Sequence, residues 1–142
     1  MEVSEVRRRL RAAMDKARQA AGERRTRTDA AARDYETFLA QRAIPIFHQA
    51  AAALKAEGHA FKVFTPAASV RLASDRSPEE YIELLFDDAS DPPAVVGRTT
   101  RGRGRRTISS ERPVAGAAAI GDLTEEDVLA FLVDEIVHLI ER

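Results

Sequence analysis

The hydrophobic period of this chain changes twice, and those changes constrain its architecture more than any other feature. Up to about residue 58 the apolar residues recur at every third or fourth position. From Phe61 to about Val114 they alternate, or cluster with β-branched and aromatic neighbours, and beyond Thr124 the three-and-four spacing returns. A chain patterned in this way is expected to be α+β. It should comprise an N-terminal helical pair (or one long kinked helix), an antiparallel β-meander of four to five strands, and a C-terminal amphipathic helix packed on the sheet. The corresponding divisions are a helical region at 1–58, a sheet at 59–115 and a terminal helix at 116–142. With 142 residues they share one core and form one domain overall.

In the first region Val3, Val6, Leu10, Ala13, Ala17 and Ala20 make a heptad-like seam that fades into alanine. Ser4 reads as an N-cap, Gly22 as a stop, and Thr26 with Asp29 as a capping box that starts a second helix. An unbroken helix from Ser4 to Glu57 would be about 80 Å long, longer than any sheet this chain could build, so a break is expected near residues 22–28. The second helix carries Tyr35, Phe38, Leu39, Ile46, Phe47, Ala50 and Leu54 on one face and ends at Gly58. Pro45 should kink or divide it near Ala43.

Five strand-like segments follow, at 60–64, 68–74, 80–87, 94–100 and 105–114. Pro66, the DRSP at 75–78, the DDASDPP at 87–93 and the RGRG at 101–104 separate them. The first two segments read equally well as one strand bent at Pro66. The connections are too short for helical crossovers, so the sheet must be an antiparallel meander. In the terminal helix Thr124 is the N-cap, with Leu123 stapling onto Val128. Its apolar residues cover more than the roughly 100° that packing on one sheet requires. The surplus, at Leu129, Val133, Val137 and Ile140, is a candidate protein interface.

Few reaction chemistries fit. The absence of cysteine removes disulfides, thiolate metal sites and cysteine nucleophiles. His48, His59 and His138 are scattered, and His138 is accounted for by pairing with Asp134 one turn earlier on a polar helix face. Asp87, Asp88 and Asp91 lack the further ligands of a Ca²⁺ loop and read as a solvated acidic loop. The GAAAIGDL stretch at 116–123 has glycines ahead of a helix but Asp122 where a phosphate loop needs lysine, so it reads as a flexible connection. No serine lies in a nucleophile elbow, and Glu83 is expected to face solvent from its strand. No catalytic residue, metal ligand or cofactor is therefore assigned. With no run of about 18 apolar residues and no apolar leader, a cytoplasmic protein without a membrane span is expected.

Two surfaces remain. Arg98, Arg101, Arg103, Arg105 and Arg106 surround Gly102 and Gly104 in a predicted hairpin, a contact for a polyanion or an acidic protein partner. No aromatic residue interrupts it, so base stacking is not provided for. Residues 121–142 hold Asp122, Glu125, Glu126, Asp127, Asp134, Glu135 and Glu141 against Arg142 alone. The expectation is a small non-enzymatic assembly or adaptor protein acting through protein–protein contacts as a homodimer. The alternative is a nucleic-acid-binding protein that uses the arginine-rich hairpin at 98–106.

Overall fold

A computed structural model describes residues 1–116 and 119–140 and has an α+β architecture. Ala117 and Ala118 of the expected flexible connection, and Glu141 and Arg142 of the acidic C-terminal stretch, lie outside the described residues. Helix α1 spans Val3–Phe38, a π-helical turn occupies Leu39–Ala43, and α2 spans Ile44–Ala56. The sheet strands are β1 (Phe61–Phe64), β2 (Val70–Ser74), β3 (Tyr81–Asp87), β4 (Ala94–Arg103) and β5 (Arg106–Pro113). They form an antiparallel meander in the order β1-β2-β3-β4-β5. A short 3₁₀ turn at Ile120–Asp122 leads to α3 (Glu125–Ile140).

The expected break at 22–28 is absent, and α1 runs straight through it. Thr26 does not cap a new helix; its hydroxyl donates back to the Gly22 carbonyl one turn earlier, at 3.0 Å. That bond is available to a threonine inside a helix, and it turns the side chain back along the preceding turn instead of forward onto the N–H groups a cap would satisfy. Gly22 is likewise internal, and the N-cap is Glu2 rather than Ser4. The rod outgrows the sheet, which resolves the length objection: residues 3–19 are exposed apart from Glu5 and form an arm about 25 Å long beyond the body. Pro45 does mark the irregularity. It has no N–H to give to Gln41, and the preceding turn widens so that the Ile44 N–H reaches the Leu39 carbonyl five residues back.

Helix α2 is closed by Gly58, two residues past its last turn, whose φ of +90° is open to glycine without strain. The Gly58 N–H bonds to the Lys55 carbonyl and the His59 N–H to that of Leu54, the paired bonds of a Schellman end. β1 and β2 are two strands, not one bent at Pro66. The chain reverses between them with Ala68 at φ +55°, pairing Phe61 with Ser74 and Phe64 with Arg71.

All helices sit on one side of the sheet. On that side Val70, Leu72, Ile82, Leu84 and Val95 meet Phe38, Phe47, Phe131, Val128 and Leu132 in one buried cluster. Burying a large aliphatic or aromatic side chain contributes about 1.5–3 kcal/mol, so this cluster dominates the fold. Leu123 and Val128 are both buried in it, at the two ends of the predicted staple. The Thr124 cap closes as a box: the Asp127 N–H donates to the Thr124 hydroxyl at 3.1 Å, and the Thr124 N–H donates to the Asp127 carboxylate at 2.8 Å.

Candidate functional site

The arm is positioned by the same stripe that holds α1 to the body. At about 100° per residue, Val6, Leu10, Ala17 and Thr28 lie within about 20° of Tyr35 on the helix circumference. Tyr35 is buried: its ring stacks on Phe86 at 5.1 Å and its hydroxyl donates to the Ala68 carbonyl at 2.6 Å. Burial and the nearby Glu83 carboxylate push the pKa of this hydroxyl up. The body's support ends where the β3–β4 loop, Asp88–Pro93, meets Ala21, Arg24, Arg25 and Thr28, with Arg27 3.7 Å from Asp91. Beyond that loop the apolar stripe continues uncovered: Val3 is 74% exposed, Leu10 59% and Met14 53%.

Each predicted interface residue of α3 is exposed, with Val133 at 57% and Leu129, Val137 and Ile140 less so. Between this stripe and α2 lies an apolar groove of about 210 Å³. Ala50, Ala53 and Leu54 form one wall, Leu129, Val133 and Ile136 the other, with Leu72 and Leu132 beneath and Glu57 at one end. Sequence reasoning identified the stripe but not the groove, which needs the α2–α3 pairing that periodicity does not specify.

Part of the acidic terminal segment is internal. Glu135 is buried, accepts from the Thr99 hydroxyl at 2.7 Å, and receives Arg112 Nε and a terminal guanidinium nitrogen at 3.3 Å each. The Arg112 guanidinium also lies 4.4 Å from the centre of the Phe131 ring, and it is Arg112, at 3.6 Å, that pairs with Asp134. The expected Asp134–His138 pair is therefore replaced. A long arginine reaching from β5 outcompetes an imidazole one turn away. The network pins α3 across β4 and β5. A signal for it was present, because Glu135 falls on the stripe Val128, Phe131, Leu132, Leu139 that faces the core.

Glu83 also departs from expectation. It projects from the sheet face that no helix covers, yet it is only 3% exposed. Register places Arg71, Glu83, Arg98 and Glu111 in one row across β2 to β5. Arg71 Nε bonds to Glu83 at 2.9 Å while its guanidinium lies 4.0 Å from the centre of the Tyr81 ring. Long neighbours on both sides thus enclose a carboxylate on an otherwise open face. Arg98 Nε donates to Glu111 at 2.7 Å, and this bond raises the Arg98 pKa further.

The arginine hairpin is consequently divided. Arg98 belongs to the ladder and Arg101 is half-buried, whereas Arg103, Arg105 and Arg106 are exposed at the tip. Gly104 takes φ +64° at the first central position of the two-residue turn, while Gly102 has no positive φ. Arg103, Arg105 and Arg106 carry no ion pair among the described residues. The acidic DDASDPP loop holds itself with the Ala89 N–H on the Asp87 carboxylate at 3.1 Å. Among the described residues no group of three His, Cys, Asp or Glu side chains could hold a metal ion, and no helix is long and apolar enough to cross a membrane. No family model, curated protein or solved structure matches this chain.

Proposed function

We propose that this chain is a non-enzymatic assembly or adaptor protein of the cytoplasm that works through protein–protein contacts as a homodimer. The observation that carries this reading is the arm. Its apolar seam is in line with the buried face of α1 yet is bare from Val3 to Met14. Helical turns that pack against nothing gain little stability in water, so a surface that covers the seam would stabilise the arm. The stripe on α3 adds a second uncovered apolar face on the same molecule, and contiguous exposed apolar surface of this kind marks interaction sites. Light scattering across a concentration series tests the reading. The expected mass is twice that of one chain, with Val133→Glu reduced to a folded monomer or driven out of solution. A well-folded wild-type monomer at high concentration overturns it.

A second reading, nucleic-acid binding through the hairpin, is favoured by one observation: Arg103, Arg105 and Arg106 are exposed without ion pairs among the described residues. Against it, the arginines of the arm, Arg7, Arg8, Arg9 and Arg11, extend from the β3–β4 loop end of the sheet, opposite the hairpin tip, so one copy offers no continuous basic track. Duplex binding by three phosphate contacts requires a log–log salt slope of roughly −2.7. Replacing Arg103, Arg105 and Arg106 with serine should abolish that slope. No detectable duplex binding at low salt eliminates the reading.

A further inference from the structure

We propose that the arm of one copy docks, apolar seam inward, into the α2–α3 groove of a second copy, and that the exchange is reciprocal. The inference rests on the homodimer reading above and names the surface that reading leaves open. The two faces match in apolar character. The arm exposes Val3, Val6, Leu10 and Met14, and the groove is a trough floored by Leu72 and Leu132 between alanine and branched aliphatic walls.

They also match in charge. The acidic residues of the arm are already engaged, Glu5 by Arg8 and Arg9 and Asp15 by Arg18. Arg7 and Arg11, which flank the seam one turn apart, carry no ion pair among the described residues. Helix α3 has five carboxylates and no lysine or arginine. Of these, Glu125 and Glu126 sit one turn before Leu129 at the groove's edge, and Glu57 lines its end. None of the three is ion-paired among the described residues. A cationic arm face is thus complementary to an anionic rim, an arrangement that fixes register and orientation more than it adds affinity.

Geometry requires the contact to be in trans. Leu10 and Leu54 lie on one continuous rod and are separated by about 65 Å, so an arm cannot reach its own groove without breaking α1. A reciprocal exchange would place the two rods antiparallel and close the assembly by a two-fold axis. Stable interfaces begin at roughly 1,200 Å² of buried surface, and a reciprocal exchange doubles the area that one arm in one groove would bury.

The absence of native cysteine makes the test direct. Leu10 and Val133 are both more than half exposed, so Leu10→Cys and Val133→Cys should fold, which circular dichroism verifies. Oxidation of the two full-length variants mixed together should give a disulfide dimer between arm and groove, at several times the yield of either variant alone. A dominant Leu10→Cys homodimer would mean that arms pair with arms, and a dominant Val133→Cys homodimer that α3 faces pair with each other. Either result overturns the inference while leaving the homodimer standing, whereas a monomeric wild type removes both. As an independent check, Arg7→Glu with Arg11→Glu should raise the dimer dissociation constant about tenfold, and adding Glu125→Arg with Glu126→Arg should restore it. A change within twofold on charge reversal, or no restoration, counts against the exchange.

Discussion

Adding one methyl group at Gly97 should loosen α3 from the sheet. Gly97 lies in mid-β4, paired with Leu84 and Arg112, on the helix-covered face. A Cβ built there would stand 2.0 Å from Phe131 Cζ and 2.5 and 2.7 Å from its two Cε atoms. Carbon atoms pack at about 3.5–4.0 Å, so the ring would have to retreat by roughly 1.5 Å. It has little room to do so: Phe131 is 1% exposed and one of its faces lies under the Arg112 guanidinium. Overpacking of this kind costs about 1–3 kcal/mol, and the absence of a flexible neighbour puts Gly97→Ala near 3 kcal/mol. At about 3 °C per kcal/mol for a chain of this size, the melting temperature should fall by roughly 10 °C. Denaturant unfolding gives the free energy directly. The double variant with Phe131→Leu, which shortens the ring that clashes, should be at least about 1 kcal/mol more stable than the sum of the single losses. A loss below about 0.5 kcal/mol for Gly97→Ala, or strict additivity in the double variant, would refute the packing described for α3.

The same substitution at Gly22 should have the opposite sign: Gly22→Ala stabilises an uninterrupted helix by about 0.5–1 kcal/mol, read as a gain in helical ellipticity at elevated temperature, because the nearest atom to the added methyl is a flexible Arg25 nitrogen at 3.8 Å. Glu135→Ala leaves the buried Thr99 hydroxyl without its acceptor and frees Arg112 from one of its two carboxylates, for a loss of about 2–3 kcal/mol in urea unfolding. Tyr35 has a pKa raised in the folded state, so its stabilising contribution is complete below the ordinary tyrosine value of about 10 and is lost as pH rises above it. Unfolding free energies at pH 9 and pH 11 should therefore diverge in the wild type, and Tyr35→Phe, less stable at pH 9 for want of the bond to Ala68, should show a smaller difference.

Local pattern was enough to place five strand-like segments, the Pro45 irregularity, the Gly58 end and the Thr124 cap, because each depends on chemistry within a few residues, but it left open whether the first two segments were one bent strand and stopped β4 short of Arg103. It failed where a local signal has two readings. Thr26 with Asp29 spells a capping box, but the same threonine can bond backward to Gly22, and only the body gripping α1 from about Ala21 onward decides between them. Burial on the open sheet face was illegible for a related reason. Glu83 alternates as a solvent-facing residue should, and its enclosure depends on Arg71 and Arg98 arriving from two other strands. Of the candidate interface, the α3 stripe could be read from its excess of apolar positions. The groove beside it and the common line shared by the arm seam and Tyr35 required the helices to be joined and placed.

The central claim is that the arm is covered by another copy of the chain. Hydrogen exchange of the backbone amides of residues 5–19, followed at two protein concentrations far apart, tests it most directly. With a partner in place the arm amides should exchange slowly at high concentration and faster on dilution, while those of the central strands β3 and β4 stay unchanged. Arm amides that exchange at the rate of an isolated helix at both concentrations would contradict the account.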